Sequence, residues 1–145
     1  MKFPYLKFPA NPNPAFPDHK QAKRPVLPIE VSHNNRSVRY FALIDSGADF
    51  CIFHASVAEY LNIDTRQGKK LEYFGIEGNK QEAFFHNVDL CFVGGQKFTA
   101  YVGFSFDFNT NMPYGVLGQR EFFEKYKIIF DYSSSDIEIR EKVQK

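Results

Sequence analysis

The residues whose types and order could do chemistry stand in "RYFALIDSGADFCIF", residues 39–53. Large apolar side chains run straight into Asp45, Ser46, Gly47 and Ala48, and an apolar segment resumes at once. A carboxylate seldom enters a protein interior without a partner. Placed at the end of an apolar strand, it can do general acid–base work, above all beside a second carboxylate. Like charges that close cannot both ionise, so the pair shares one proton and titrates with one low and one raised apparent pKa. Ser46 brings a hydroxyl that can donate and accept across such a pair. Gly47 lets backbone amides approach the carboxylate with no Cβ in the way. The plain alternative is an Asx turn at a strand end, where most Asp-Ser-Gly triplets belong.

Two other groupings invite a chemical reading. Cys51-x-x-His54 and His86-x4-Cys91 offer the ligand types of a Cys2His2 zinc site. Both cysteines lie in apolar text, "DFCIF" and "VDLCFV", and read better as small core residues with reduced thiols. No metal or cofactor is expected. Asp49, Asp89, Asp107 and Asp131 read as turn or solvent-facing carboxylates, and His19 and His33 lie in loop text.

The surrounding elements are strands. Phe (17) and Tyr (8) are abundant and Trp is absent, a bias towards β structure. "VLPIEVS" (26–32), the turn "HNNRS" (33–37) and "VRYFALI" (38–44) form a hairpin that delivers Asp45 at its end. A short helix is expected over "ASVAEYLNI" (55–63) from its apolar spacing. "LEYF" and "KQEAFFHNVDLCFV" flank the turn "GIEGN" (75–79) as a second hairpin, and "GGQKFTAYVGFSF" returns through Gly94 and Gly95. "GVLG" (115–118) reads as a brief strand, "QREFFEKY" as a short helix, and "KIIFDY" and "DIEIR" as closing strands.

An isolated Asp-Ser/Thr-Gly triplet arises by chance in roughly one chain in ten of this length. Its setting is rarer: apolar strand, Asp45-Ser46-Gly47-Ala48, apolar strand and helix, then "YGVLGQREFF" some way downstream. Together these segments resemble the retropepsin-like aspartic proteases over about residues 25–140. The resemblance implies a mainly β, closed-barrel acid-protease fold with one or two short helices, active as a two-fold homodimer. It implies Asp45 as catalytic acid, Ser46 as the hydroxyl tying two active-site loops together, and Gly47 and Ala48 as the turn beside bound peptide. It further implies a flap over substrate at Phe74, Gly75, Ile76, Glu77 and Gly78, and structural support from Val116, Leu117 and Gly118. The activity implied is aspartic endopeptidase; the alternative is a catalytically silent dimeric module that binds peptides on the same fold.

One motif count sets the assembly. The chain holds a single Asp-Ser/Thr-Gly, and "FDYSS" around Asp131 lacks the glycine, so a carboxylate pair needs two chains related by a two-fold axis. "DIEIR" (136–140) is an expected interface strand. With 18 basic and 17 acidic residues spread along the chain, nucleic acid and anionic membranes are not expected partners. No apolar run is long enough to span a bilayer, so a cytoplasmic setting is the default expectation. The expected organisation is a proline-rich arm (1–24) holding most of the prolines, a domain (25–140) and a polar tail (141–145). The arm reads as extended, and over about residues 1–22 as a disordered tail.

Overall fold

The computed structural model describes residues 1–74, 78–107 and 114–143. Its spine is a closed ring of six strands. The first of these, β4 (Val26–His33), pairs antiparallel with β5 (Arg36–Ile44) through a two-residue turn. Asn34 and Asn35 both take positive φ, 44° and 65°, which is the conformation such a tight hairpin requires and asparagine tolerates. After the Asp45 loop come β6 (Ile52–His54) and helix α1 (Ala55–Tyr60), capped by the His54 ring accepting from the Ser56 amide. A 3₁₀ turn (Thr65–Gln67) leads to β7 (Lys69–Phe74), β8 (Lys80–Phe92) and β9 (Phe98–Ser105). The short strand β10 (Gly115–Leu117) completes the sheet in the order β4-β5-β10-β6-β9-β8-β7, and β4 pairs with β8 to close it. The thirteen residues of β8 make this possible: one edge carries β9, while the other carries β7 at its start and β4 at its end.

The main core fills the ring with Phe53, Phe92, Phe104 and Phe122, all essentially without exposure. Edge-to-face and tilted contacts link Phe92 to Phe98, Phe122 and Tyr126, geometry that aromatic rings favour beyond plain area burial. A smaller cluster of Ile52, Ala83 and Phe85, flanked by Phe50, Leu71 and Tyr73, lies between the β7–β8 hairpin and the segment after Asp45.

Three expectations change. The arm is ordered: β1 (Lys2–Pro4) joins β12 (Asp136–Glu141), β2 (Leu6–Pro9) pairs with β3 (Gln21–Arg24), and Phe3 and Tyr5 are buried in the main core. Proline did not prevent this because Pro4 and Pro9 sit at strand ends and at sheet edges, where no ladder donor is needed. "DIEIR" is not a free edge, since β12 (Asp136–Glu141) has β1 on one side and β11 (Tyr126–Asp131) on the other. The helix expected at "QREFFEKY" is a wound turn over Gln119–Phe123 with non-helical Arg120 and Glu121, the latter at φ 76°. Its backbone groups are committed elsewhere: the Arg120 amide donates to Asp49 O at 3.0 Å, and Arg120 O receives the Cys51 thiol.

Candidate active site

Asp45 follows β5 directly. β10 runs parallel to β5, Leu117 opposite Ile44, and antiparallel to β6, Val116 opposite Ile52. The strand "GVL" is therefore threaded between the two strands that lead into and out of the aspartate loop. The Asp45 amide donates to Leu117 O at 3.0 Å, which pins the loop to that strand. One step earlier, Ile44 N donates to Pro25 O at 2.9 Å, so the residue just before β4 also brackets the loop. Within the loop, Gly47 N donates to Asp45 Oδ1 at 2.9 Å and Ala48 N to Asp45 O at 3.2 Å. One carboxylate oxygen is thus held by a backbone amide. Asp45 is half-buried, and Ser46 and Gly47 are exposed, so this loop stands at the surface of the single chain.

The second loop is stitched to the first. Gln119 N donates to Ala48 O at 2.8 Å, and the Gln119 side-chain amide donates to Ser46 O at 2.9 Å. Gly118 makes the approach possible, because a Cβ there would lie 2.3 Å from Phe50 O and 2.7 Å from Ala48 O. The Gly118 amide in turn points at Cys51 Sγ, 3.4 Å away, while that thiol donates to Arg120 O at 3.4 Å. Burial pushes the Cys51 thiol up to about 11, with the Gly118 amide pulling weakly the other way. Cys51 is therefore a protonated linker between the loops at neutral pH.

The structure brings together Asp45, Ser46, Gly47, Ala48, Val116, Leu117 and Gly118 in one region. Of the segment expected as a flap, Phe74 ends β7 with its ring largely exposed and Gly78 takes φ 78°; Gly75, Ile76 and Glu77 lie outside the described residues. Phe50 reaches from the aspartate loop towards the hairpin, its ring edge-to-face with Phe85 at 5.7 Å. Sequence reasoning missed Gln119 and the double role of Cys51. A glutamine after a glycine carries no periodic or motif signal, and a cysteine in apolar text reads as packing alone. Among the described residues no group of three or more His, Cys, Asp or Glu side chains could hold a metal ion.

A ring of six strands around one aromatic core, with an Asp-Ser-Gly loop laced to an apolar-apolar-Gly strand, defines the retropepsin-like class of acid-protease fold. The sequence profile of the aspartyl protease family matches residues 29–120, and the chain belongs to that family. Among solved structures, a retropepsin-like aspartic protease from Rickettsia conorii aligns with a TM-score of 0.52 and 18% identity, over 91% of this chain and 97% of that one. EIAV protease in complex with the inhibitor HBY-793 aligns with a TM-score of 0.44 and 22% identity, over 67% of this chain and 83% of that one. No curated protein sequence matches the chain.

Proposed function

We propose that this chain is an aspartic endopeptidase that works as a homodimer, with Asp45 of each copy forming the catalytic pair. The observation that carries this is the Asp45 carboxylate itself, held through Oδ1 by the Gly47 amide on an exposed loop that a second loop braces from behind. A lone carboxylate activates water poorly, whereas two that share a proton supply both the base for water and the acid for the carbonyl oxygen. With one such loop per chain, a two-fold axis through it is the direct way to make the pair. In this reading Ser46, whose carbonyl is already used by Gln119, turns its hydroxyl to the other copy's loop. Gly47 and Ala48 line the floor under the peptide.

The substrate is an extended segment of unfolded protein or peptide, bound by strand addition beneath the flap from Phe74 to Gly78. Val116, Leu117 and Gly118 support the aspartate loop. Two free thiols, Cys51 and Cys91, suit a reducing cytoplasmic setting, and among the described residues no helix is long and apolar enough to cross a membrane. The arm (1–24), the protease domain (25–140) and the short tail (141–145) are the proposed organisation.

The test is Asp45→Asn. It keeps the Gly47 contact through its amide oxygen, so the fold should survive while hydrolysis of a peptide library falls to background. Hydrolysis by this variant at the wild-type rate would end the proposal. Saturable peptide binding by the wild type with no product at any pH would instead identify a silent peptide-binding module.

A further inference from the structure

The β7–β8 hairpin is gripped part-way along its length by three consecutive residues that play no part in the aspartate loop. β8 and β9 pair from Phe84 opposite Phe104 to Leu90 opposite Phe98, so at Glu82 the ladder has run out. Side chains take its place. Ser105, fully buried, donates its hydroxyl to Glu82 O at 2.8 Å and accepts from Asp107 N at 3.1 Å. Asp107 Oδ2 then accepts from Glu82 N at 3.0 Å, so both backbone groups of Glu82 are satisfied by this short segment. Between them, Phe106 turns outward onto Phe84, with ring centroids 6.4 Å apart, and the Arg66 guanidinium lies 4.6 Å from its ring centroid.

The opposite arm of the hairpin meets the same residue, because the Ser105 hydroxyl is the neighbour of the Tyr73 phenol. Leu71, Tyr73, Ala83 and Phe85 pack with Phe50 and Ile52, which flank the aspartate loop. Any slip of Glu82 against Ser105 would therefore move the hairpin relative to Asp45. The exposed ion pairs on the hairpin, Lys70 with Glu82 and Lys80 with Glu72, are too solvated to hold that register.

We propose that Ser105 and Asp107 are positioning residues that fix the β7–β8 hairpin beside Asp45 and so set how tightly an extended peptide is held, without touching the reacting atoms. This rests on the reading of Asp45 as acting on bound peptide. Removing one hydrogen bond of this kind should raise KM about fivefold, equivalent to about 1 kcal/mol, and leave kcat within about a factor of two.

Asp107 is exposed, so Asp107→Ala should fold, and Asp107→Asn retains an acceptor oxygen. The experiment compares peptide hydrolysis and Glu82 amide exchange in the wild type, Asp107→Ala, Asp107→Asn and Ser105→Ala. The expected result is a raised KM and faster Glu82 exchange in both alanine variants, with both returned towards wild type by Asp107→Asn. An unchanged KM in Asp107→Ala, a loss confined to kcat, or no rescue by asparagine overturns the proposal. If the wild type binds peptide without cleaving it, the proposed activity fails and the fivefold change is read in Kd instead; binding indifferent to Asp107→Ala then overturns the clasp alone. A wild type that neither binds nor cleaves peptide overturns both.

Discussion

Gly118→Ala isolates the contact on which the aspartate loop depends. Gly118 has φ −107° and ψ −165°, extended backbone that any residue can adopt, so the substitution carries no conformational penalty of its own. Its cost is steric. The new Cβ would lie 2.3 Å from Phe50 O and 2.7 Å from Ala48 O, and both are backbone atoms that cannot rotate away. One loop must move, which strains three links: Gln119 N to Ala48 O, Arg120 N to Asp49 O, and Gly118 N to Cys51 Sγ. At about 1 kcal/mol for each hydrogen bond, the expected loss is about 2–3 kcal/mol, or a fall in Tm of about 5–10 °C for a chain of this size. Circular dichroism melts measure this, and peptide cleavage should fall below about a tenth of wild type because Asp45 hangs from the same strand. Two other glycines serve as controls. Gly47→Ala places its Cβ 3.3 Å from Asp45 Oδ1 and should melt within about 1 kcal/mol of wild type while losing activity. Gly78→Ala has open space around it but φ 78°, and should lose about 1 kcal/mol through backbone strain alone. A Gly118→Ala protein that melts within about 2 °C of wild type and cleaves normally would refute the account of two laced loops.

The remaining predictions concern the arm and the buried thiol. Phe3→Ala should destabilise by about 3 kcal/mol in urea unfolding, the cost of emptying an aromatic site in a core, whereas a dispensable tail would show no change. Cys51 should resist iodoacetamide in the native protein and react once unfolded, read by mass spectrometry. Because folding raises its pKa from 9.0 to about 11, the folded state holds a proton that the unfolded chain releases between those values. That contribution is complete below about pH 9 and is lost as pH rises towards about 11, by up to about 2–3 kcal/mol. Several half-buried tyrosines are raised as well, so the quantity to measure is the difference between wild type and Cys51→Ala, which should narrow across this window.

What could be read from the sequence was whatever local chemistry dictates, and what escaped was whatever a distant strand decides. "VLPIEVS", "NN" and "VRYFALI" announce a hairpin by alternation and a turn that needs positive φ, and Asp45 falls where that hairpin ends. The wound turn at Gln119–Phe123 looked helical because Phe122 and Phe123 suit a helix face, yet Asp49 O and Cys51 Sγ, some seventy residues earlier, claim its backbone. The arm misled in the same way. Its prolines rule out a helix and a central strand, but they leave edge positions open, and only the presence of β12 provides an edge to join. That pairing bears on assembly. β1 and Met1 cover β12 over Asp136–Ile139 and β11 covers its other side, so along that stretch β12 has no backbone groups to offer a second copy, and the outer strands of this sheet are β1 and β11. In the proposed dimer, three routes for the partner can be told apart at this sheet: it adds to one of those outer strands, it meets the exposed loop by side chains and leaves the sheet alone, or it displaces β1 from its own chain. The three routes differ in what they demand of Phe3, which stays in its own core in the first two and leaves it in the third. Cross-linking a cysteine at Lys2 to one at Glu138, its register partner across β1 and β12, separates them: a bond within one chain keeps β1 at home, and a bond between chains shows exchange.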